Sequence, residues 1–249
     1  MREHFETVGF IGYGKFTKLL ISLFTKYMPK ATLRVSSRSN ESDGVLFFDK
    51  PTVCSSELII PCVPIRNFET TIKEISPLLK SGQTILDVCS VKVHPKEVLL
   101  NNITEGVNLI GSHPMFGPAS YEKLAGDLRG CCVIIEKIRS QVEPFAIIKG
   151  FFTALNLTLV EMTAEEHDKK AAKFQFITLS AATILKKLNI QRESIDTPSA
   201  LKMLDFLDMI SVDADLVLDL YKYNPYCHEE FKRFEDAFEQ LRTELYNVA

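Results

Sequence analysis

The sequence predicts an α/β architecture, a doubly wound and mostly parallel sheet followed by an all-helical domain. Three observations predict it. Short apolar strand-like runs alternate with helical stretches of roughly 10 to 15 residues as far as Met162. Beyond Met162 the strand signal stops and three long helical stretches follow. A Gly12-Tyr13-Gly14 turn joins the first strand to the first helix. The expected domains are residues 1–162 and 163–249.

The elements follow in order. Thr7–Ile11 reads as a buried strand, and Lys15–Tyr27 as an apolar-periodic helix ended at Pro29. Thr32–Ser36 is the second strand, Val45–Phe48 a third and Glu57–Pro61 a fourth. Pro64 opens a helix to about Leu79, Ser81-Gly82 is a turn, and Thr84–Val88 is the fifth strand. Pro95 starts another helix, because proline suits a first helical turn. Val107–Ile110 and Cys132–Ile135 are strands, Glu143–Leu155 is a helix and Thr158–Val160 is the last strand. The second domain should hold helices over Ala164–Leu188, Ser199–Ile210 and Asp213–Tyr246.

Composition narrows the function. The 249 residues are 46% hydrophobic, enough for a sizeable core. A net charge of −3 and a pI near 6.0 imply no basic face, which argues against nucleic acid as a partner. No apolar run approaches the ~20 residues that span a bilayer. The chain passes from Met1 directly into a strand, leaving no room for a leader, so the expected location is the cytoplasm, or a plastid if a transit peptide has been removed. The six cysteines lack Cys-x-x-Cys spacing and read as free thiols of a reducing compartment, with no metal expected.

Gly12 and Gly14 supply the first two glycines of a Rossmann-type dinucleotide turn. The first allows the tight turn, and the second lets backbone approach a pyrophosphate at the helix N-terminus. The same residues also suit an ordinary strand–turn–helix, and the strand-to-helix context favours the nucleotide. An acid closing the second strand would hold the ribose 2′-hydroxyl of NAD; here the strand runs into Ser37 and Arg38. A guanidinium forks onto phosphate oxygens, so the expected cofactor is NADP. Lys15 and Phe16 of the first helical turn complete the cofactor-binding set.

Gly111-Ser112-His113-Pro114-Met115-Phe116-Gly117-Pro118 follows a predicted strand and places His113 in a shaped loop. Removing a hydride from an alcohol carbon leaves an oxygen whose proton needs an acceptor, and a neutral imidazole serves near pH 7. Asp87 ends a strand with Ser90 and Lys92 just after; Asp87 reads as a loop cap and Ser90 as a substrate contact. Glu165-Glu166-His167-Asp168 opens a helix, where acids suit the dipole.

Asp87-Val88-Cys89-Ser90-Val91-Lys92, Ser112-His113-Pro114-Met115-Phe116-Gly117-Pro118 and Glu165-Glu166-His167-Asp168 followed by Gln175-Phe176-Ile177-Thr178 resemble the arogenate/prephenate dehydrogenase family in order and spacing. The stretch from Asp215-Leu216 through Tyr223-Asn224-Pro225 to Phe234–Glu239 resembles the plant-type branch. The resemblance implies His113 as the catalytic histidine, Ser90 as a partner of the ring hydroxyl, and Gly12, Gly14, Ser37 and Arg38 as NADP-binding positions. It implies that His167, Asp168 and Gln175 line the substrate pocket. Asp215 matches an acid that goes with arogenate over prephenate, since a carboxylate can pair with arogenate's ammonium; a helix-start residue is the alternative.

Three positions depart from the family pattern. Thr17 replaces the third glycine, Leu179 stands where many relatives carry a second histidine, and an arginine expected between Leu201 and Ile210 is missing. Lys202 is its candidate substitute as a carboxylate partner, with a solvated helix lysine as the other reading. The implied activity is NADP-dependent oxidative decarboxylation of arogenate in an inter-domain cleft. The rivals are prephenate as substrate, giving 4-hydroxyphenylpyruvate, and a dinucleotide-binding sensor without catalysis. Phe206, Leu207, Ile210, Leu216, Leu218 and Leu220 exceed one buried stripe, and the family resemblance implies a homodimer.

Overall fold

The computed structural model describes residues 3–39, 42–44, 46–209 and 214–248. The chain forms two compact units, Met1–Ala164 and Glu165–Ala249. In the first, the described residues form a seven-stranded sheet in the order β2-β1-β3-β4-β5-β6-β7. The strands are β1 (Thr7–Ile11), β2 (Thr32–Ser36), β3 (Leu58–Pro61), β4 (Thr84–Asp87), β5 (Asn108–Pro114), β6 (Cys132–Arg139) and β7 (Thr158–Glu161). Strands β1 to β5 pair in parallel, β6 runs antiparallel to β5, and β7 is parallel to β6.

Near-continuous apolar runs make the central strands because both sheet faces are covered. Alternation sends Val8, Phe10, Leu58, Ile60, Leu86 and Ile110 to one face. There they meet α1 (Lys15–Tyr27) and α6 (Val142–Ala154) through Leu20, Leu23, Phe24, Ile148, Phe151 and Phe152. Ile11, Ile59, Ile85 and Leu109 point the other way, against α2 (Lys50–Cys54), α3 (Phe68–Ile75) and α4 (Val93–Asn102). Phe24 anchors the first layer: its ring stacks on Phe151 at 4.1 Å and meets the edge of Phe10 at 5.7 Å. A short helix, α5 (Pro118–Lys123), which the sequence reading did not anticipate, follows Gly117.

Several expected elements differ. Val45–Phe48 is not a strand: Val45 lies outside the described residues, and Phe47 makes a single bridge to Val35. The Asp43 carboxylate accepts the Leu46 and Phe47 amides, which turns the chain, and Asp49 then caps α2 through the Thr52 amide. The helix opened by Pro64 is α3 flanked by 3₁₀ turns over Ile65–Asn67 and Ser76–Leu78.

The second unit is helical throughout its described residues. Helices α7 (Ala164–Ala171) and α8 (Ile177–Lys187) are joined by a π-helical turn over Ala172–Phe176. Then come α9 (Pro198–Met209), α10 (Ala214–Tyr223) and α11 (Cys227–Val248). The single helix expected over Asp213–Tyr246 breaks at Asn224-Pro225, because proline lacks a donor and disfavours helical geometry in the residue before it. Phe176 is the hub, 6.0 Å from the Tyr221 ring and 6.1 Å from that of Phe231. Among the residues expected at a dimer face, Leu207 and Leu220 are buried in this unit and Phe206 packs on its core, while Leu218 is 66% exposed. Ile210 lies outside the described residues.

Phe24→Ala should cost about 3–5 kcal/mol, the usual range for deleting a buried aromatic ring. Urea unfolding followed by circular dichroism measures it.

Candidate active site

The strand order reverses between β1 and β3, and ligands of open α/β sheets sit outside the carboxyl ends at such a point. A cleft of about 640 Å³ lies there, lined by Gly12, Gly14, Ser36–Ser39 and the residues following β3. The strand ends are tied together: the Gly12 amide donates to the Ser36 carbonyl and the Cys62 amide to the Ile11 carbonyl, each at 2.8 Å. Gly12 has φ +102°, and a Cβ there would stand 2.5 Å from the Cys62 carbonyl oxygen. A Cβ on Gly14 would meet nothing within 4 Å and would project into open space at the start of α1. No side chain caps α1 and its first turn has no acid, so its leading amides face the cleft end uncompensated. This cradle fits a dinucleotide pyrophosphate.

Ser37 and Arg38 line the same cleft. The Ser39 amide and hydroxyl lie 3.3 and 3.1 Å from the Ser37 hydroxyl, which holds that wall of the loop. Lys15 is exposed in the first turn of α1, and Phe16 packs on the core; neither is among the residues that line the cleft. Thr17, at the third glycine position, is buried under the sheet edge with its hydroxyl against the Cys62 thiol. Burial pushes that thiol up to about 12, so Cys62 stays neutral.

The structure adds residues that the sequence reading missed. Lys50 begins α2, and Thr70, Thr71 and Glu74 share a cleft-facing side of α3. The i, i+4 spacing of Thr70 and Glu74 on an otherwise apolar-faced helix was the available signal. Lys50 pairs with Glu74 at 2.5 Å, and this bond, then the nearby Lys50 and Arg38 charges, hold the Glu74 carboxyl below its usual range.

Next along the carboxyl edge lies a buried polar network. Asp87 accepts the Cys89 amide at 2.8 Å and an ion pair from Lys92. Asp87 is therefore more than the loop cap that was expected. Lys92 also donates to the Ser112 carbonyl at 2.5 Å, and the Ser112 hydroxyl donates to the Asp87 carbonyl at 2.8 Å. Ser90 is half-buried in the segment between β4 and α4.

His113 is not a loop residue. It lies in β5, paired with Ile134, and is 4% exposed. The reason is β6, which doubles back antiparallel and draws Gly111–Pro114 into the sheet. Alternation along β5 puts His113 on the face of Gly111, the partner of Asp87.

In the helical unit, His167 and Asp168 are buried, with His167 Nδ1 2.7 Å from an Asp168 carboxylate oxygen. The Asn224 side-chain amide donates to the Asp168 carbonyl at 2.9 Å, tying the α10–α11 corner to α7. The helix-start reading of Glu165–Asp168 does not account for this burial. Gln175 lies in the π turn with its carbonyl oxygen buried and without a hydrogen-bond partner. Such widened turns often occur at functional sites. Lys202 and Asp215 are exposed, on α9 and in the first turn of α10. Among the described residues no cluster of His, Cys, Asp and Glu is set to hold a metal, and no helix is long and apolar enough to cross a membrane.

Residues 37–129 match the family described as prephenate dehydrogenase, nucleotide-binding domain, and residues 184–248 match the TYRAAT1-like, C-terminal domain. Arogenate dehydrogenase 1, chloroplastic, of Arabidopsis thaliana is 31% identical over 96% of this chain, which spans 39% of that protein. Arogenate dehydrogenase 2, chloroplastic, of the same plant is 28% identical over 96% of this chain and 70% of its own length. Prephenate dehydrogenase from Aquifex aeolicus superposes with a TM-score of 0.74 at 18% identity, covering 97% of this chain and 92% of that one, and so shares the fold.

Lys92→Met should destabilise the first unit by about 3–5 kcal/mol, because it strands the buried Asp87 carboxylate. The Asp87→Asn/Lys92→Met double variant should lose less than the single one. Denaturant titration of the three proteins checks the order.

Proposed function

The chain belongs to the arogenate/prephenate dehydrogenase family, and from that premise we propose that it oxidatively decarboxylates arogenate to tyrosine with NADP. The observation that carries this reading is one sheet edge holding both a glycine-turn cleft walled by Ser37 and Arg38 and a buried histidine on β5, with β3 and β4 between. Gly12, Gly14 and the α1 amides would hold the pyrophosphate, and Ser37 and Arg38 the 2′-phosphate. Bound NADP supplies the acceptor for the hydride that leaves the ring carbinol carbon. His113 takes the proton of the hydroxyl on that carbon; the ring then sheds its carboxylate as carbon dioxide, the electron pair passes to the ring oxygen, and that oxygen takes the proton back as the ring becomes aromatic. Ser90 holds the hydroxyl in line for His113.

His167, Asp168 and Gln175 are the proposed substrate-binding residues, and Lys202 a proposed carboxylate partner. His167 sets its Nδ1 2.7 Å from an Asp168 carboxylate oxygen, which fixes the ring. Asp215 offers its carboxylate to the ammonium that arogenate has and prephenate lacks, and this favours arogenate.

The decisive assay follows NADPH formation with arogenate and prephenate side by side, and repeats it with NAD. Arogenate with NADP should give the highest kcat/KM. His113→Ala should lose about 10²–10⁴ in kcat, the span of general-base assistance. Full turnover by that variant would remove His113 from the chemistry.

We also propose a homodimer formed through the helical unit. Ile184, Leu188, Phe238, Leu241 and Leu245 are exposed on α8, just after it and on α11, and a groove of about 620 Å³ lies between these two helices. Light scattering at micromolar concentration should give twice the chain mass, and Phe238→Glu should return the monomer.

A further inference from the structure

The cleft holds a second cation, and an acid stands on it. Lys50 opens α2 and Glu74 closes the cleft-facing side of α3. They meet at 2.5 Å, with side chains 38% and 51% exposed. Arg38 is near enough that its charge helps keep Glu74 ionised. Two cations and one carboxylate therefore share a pocket that Ser36, Ser37 and Ser39 also line.

We infer that Lys50 is the second cation of the adenosine 2′-phosphate subsite and that Glu74 holds it until the phosphate arrives, so that Lys50 favours a 2′-phosphorylated dinucleotide and Glu74 tempers that preference. The inference rests on the NADP reading of the cleft. A 2′-phosphate brings about −1.5 to −2 charges near neutral pH, as phosphate monoesters do. One guanidinium balances only part of that. Lys50 can supply the rest by exchanging a carboxylate oxygen for a phosphate oxygen, and exposed pairs of this kind are weakly held. Glu74, once released, repels the phosphate and opposes its binding. A bare ribose 2′-hydroxyl has no charge with which to draw Lys50 away, so NAD leaves the pair intact.

Calorimetric titration of the full chain with NADP and with NAD tests this. Lys50→Gln should weaken NADP by about tenfold, the scale of one lost charge-assisted contact, and leave NAD within about twofold. Glu74→Gln should tighten NADP by about threefold through lost repulsion. Unchanged NADP affinity in Lys50→Gln, equal losses for both dinucleotides, or weaker NADP binding in Glu74→Gln overturns the inference. Arg38→Ala separates the two levels: if it loses NADP selectively while Lys50→Gln does not, the inference fails and the NADP reading stands. If Arg38→Ala binds both dinucleotides like the parent, the NADP reading itself fails.

Discussion

The close approach of β1 and β3 at Gly12 governs the first unit. No side chain fits between that residue and the Cys62 carbonyl, and the backbone takes a positive φ that favours glycine. The approach lets the Gly12 amide reach Ser36 and the Cys62 amide reach Ile11, so three strand ends finish at one level. The cleft exists because they do. The uncapped start of α1 adds a partial positive charge at its end.

A second constraint acts further along the same edge. The Asp87–Lys92 pair and its bonds to Ser112 sit one residue before His113. A buried ion pair adds little net stability compared with well-packed apolar groups, but it gives two strands a fixed register. Here it fixes the backbone next to the proposed base, while β6 holds that backbone from the other side.

The sheet was legible because its strands announce themselves as apolar runs bounded by glycine, proline and serine. β1, α1 and β2 match the sequence reading residue for residue. Local pattern failed where a distant partner or a side-chain cap decided the outcome. Nothing near His113 in sequence says that β6 returns antiparallel to claim it. Val45–Phe48 is as apolar as a strand, yet Asp43 takes two of its amides for a turn. The cleft residues Lys50 and Glu74 were missed for a related reason: their pairing joins two helices that only the fold brings together. In the helical unit, the burial of His167 and Asp168 depends on Asn224, 56 residues away.

The widened turn at Ala172–Phe176 has a consequence for how this chain tolerates change in length. A π turn holds one residue more than the α geometry on either side of it. Removing any single residue from it would let the helix rewind into an unbroken spiral. Each α-helical residue advances the azimuth by about 100°. Because the turn absorbs that extra residue, its loss would leave Ile177–Lys187 facing as before, whereas a deletion early in α8 itself would turn the rest of the helix by that angle and carry Ala182 away from Leu204 and Leu207. The turn is therefore the place in this helix where the chain can shorten by one residue and keep its packing.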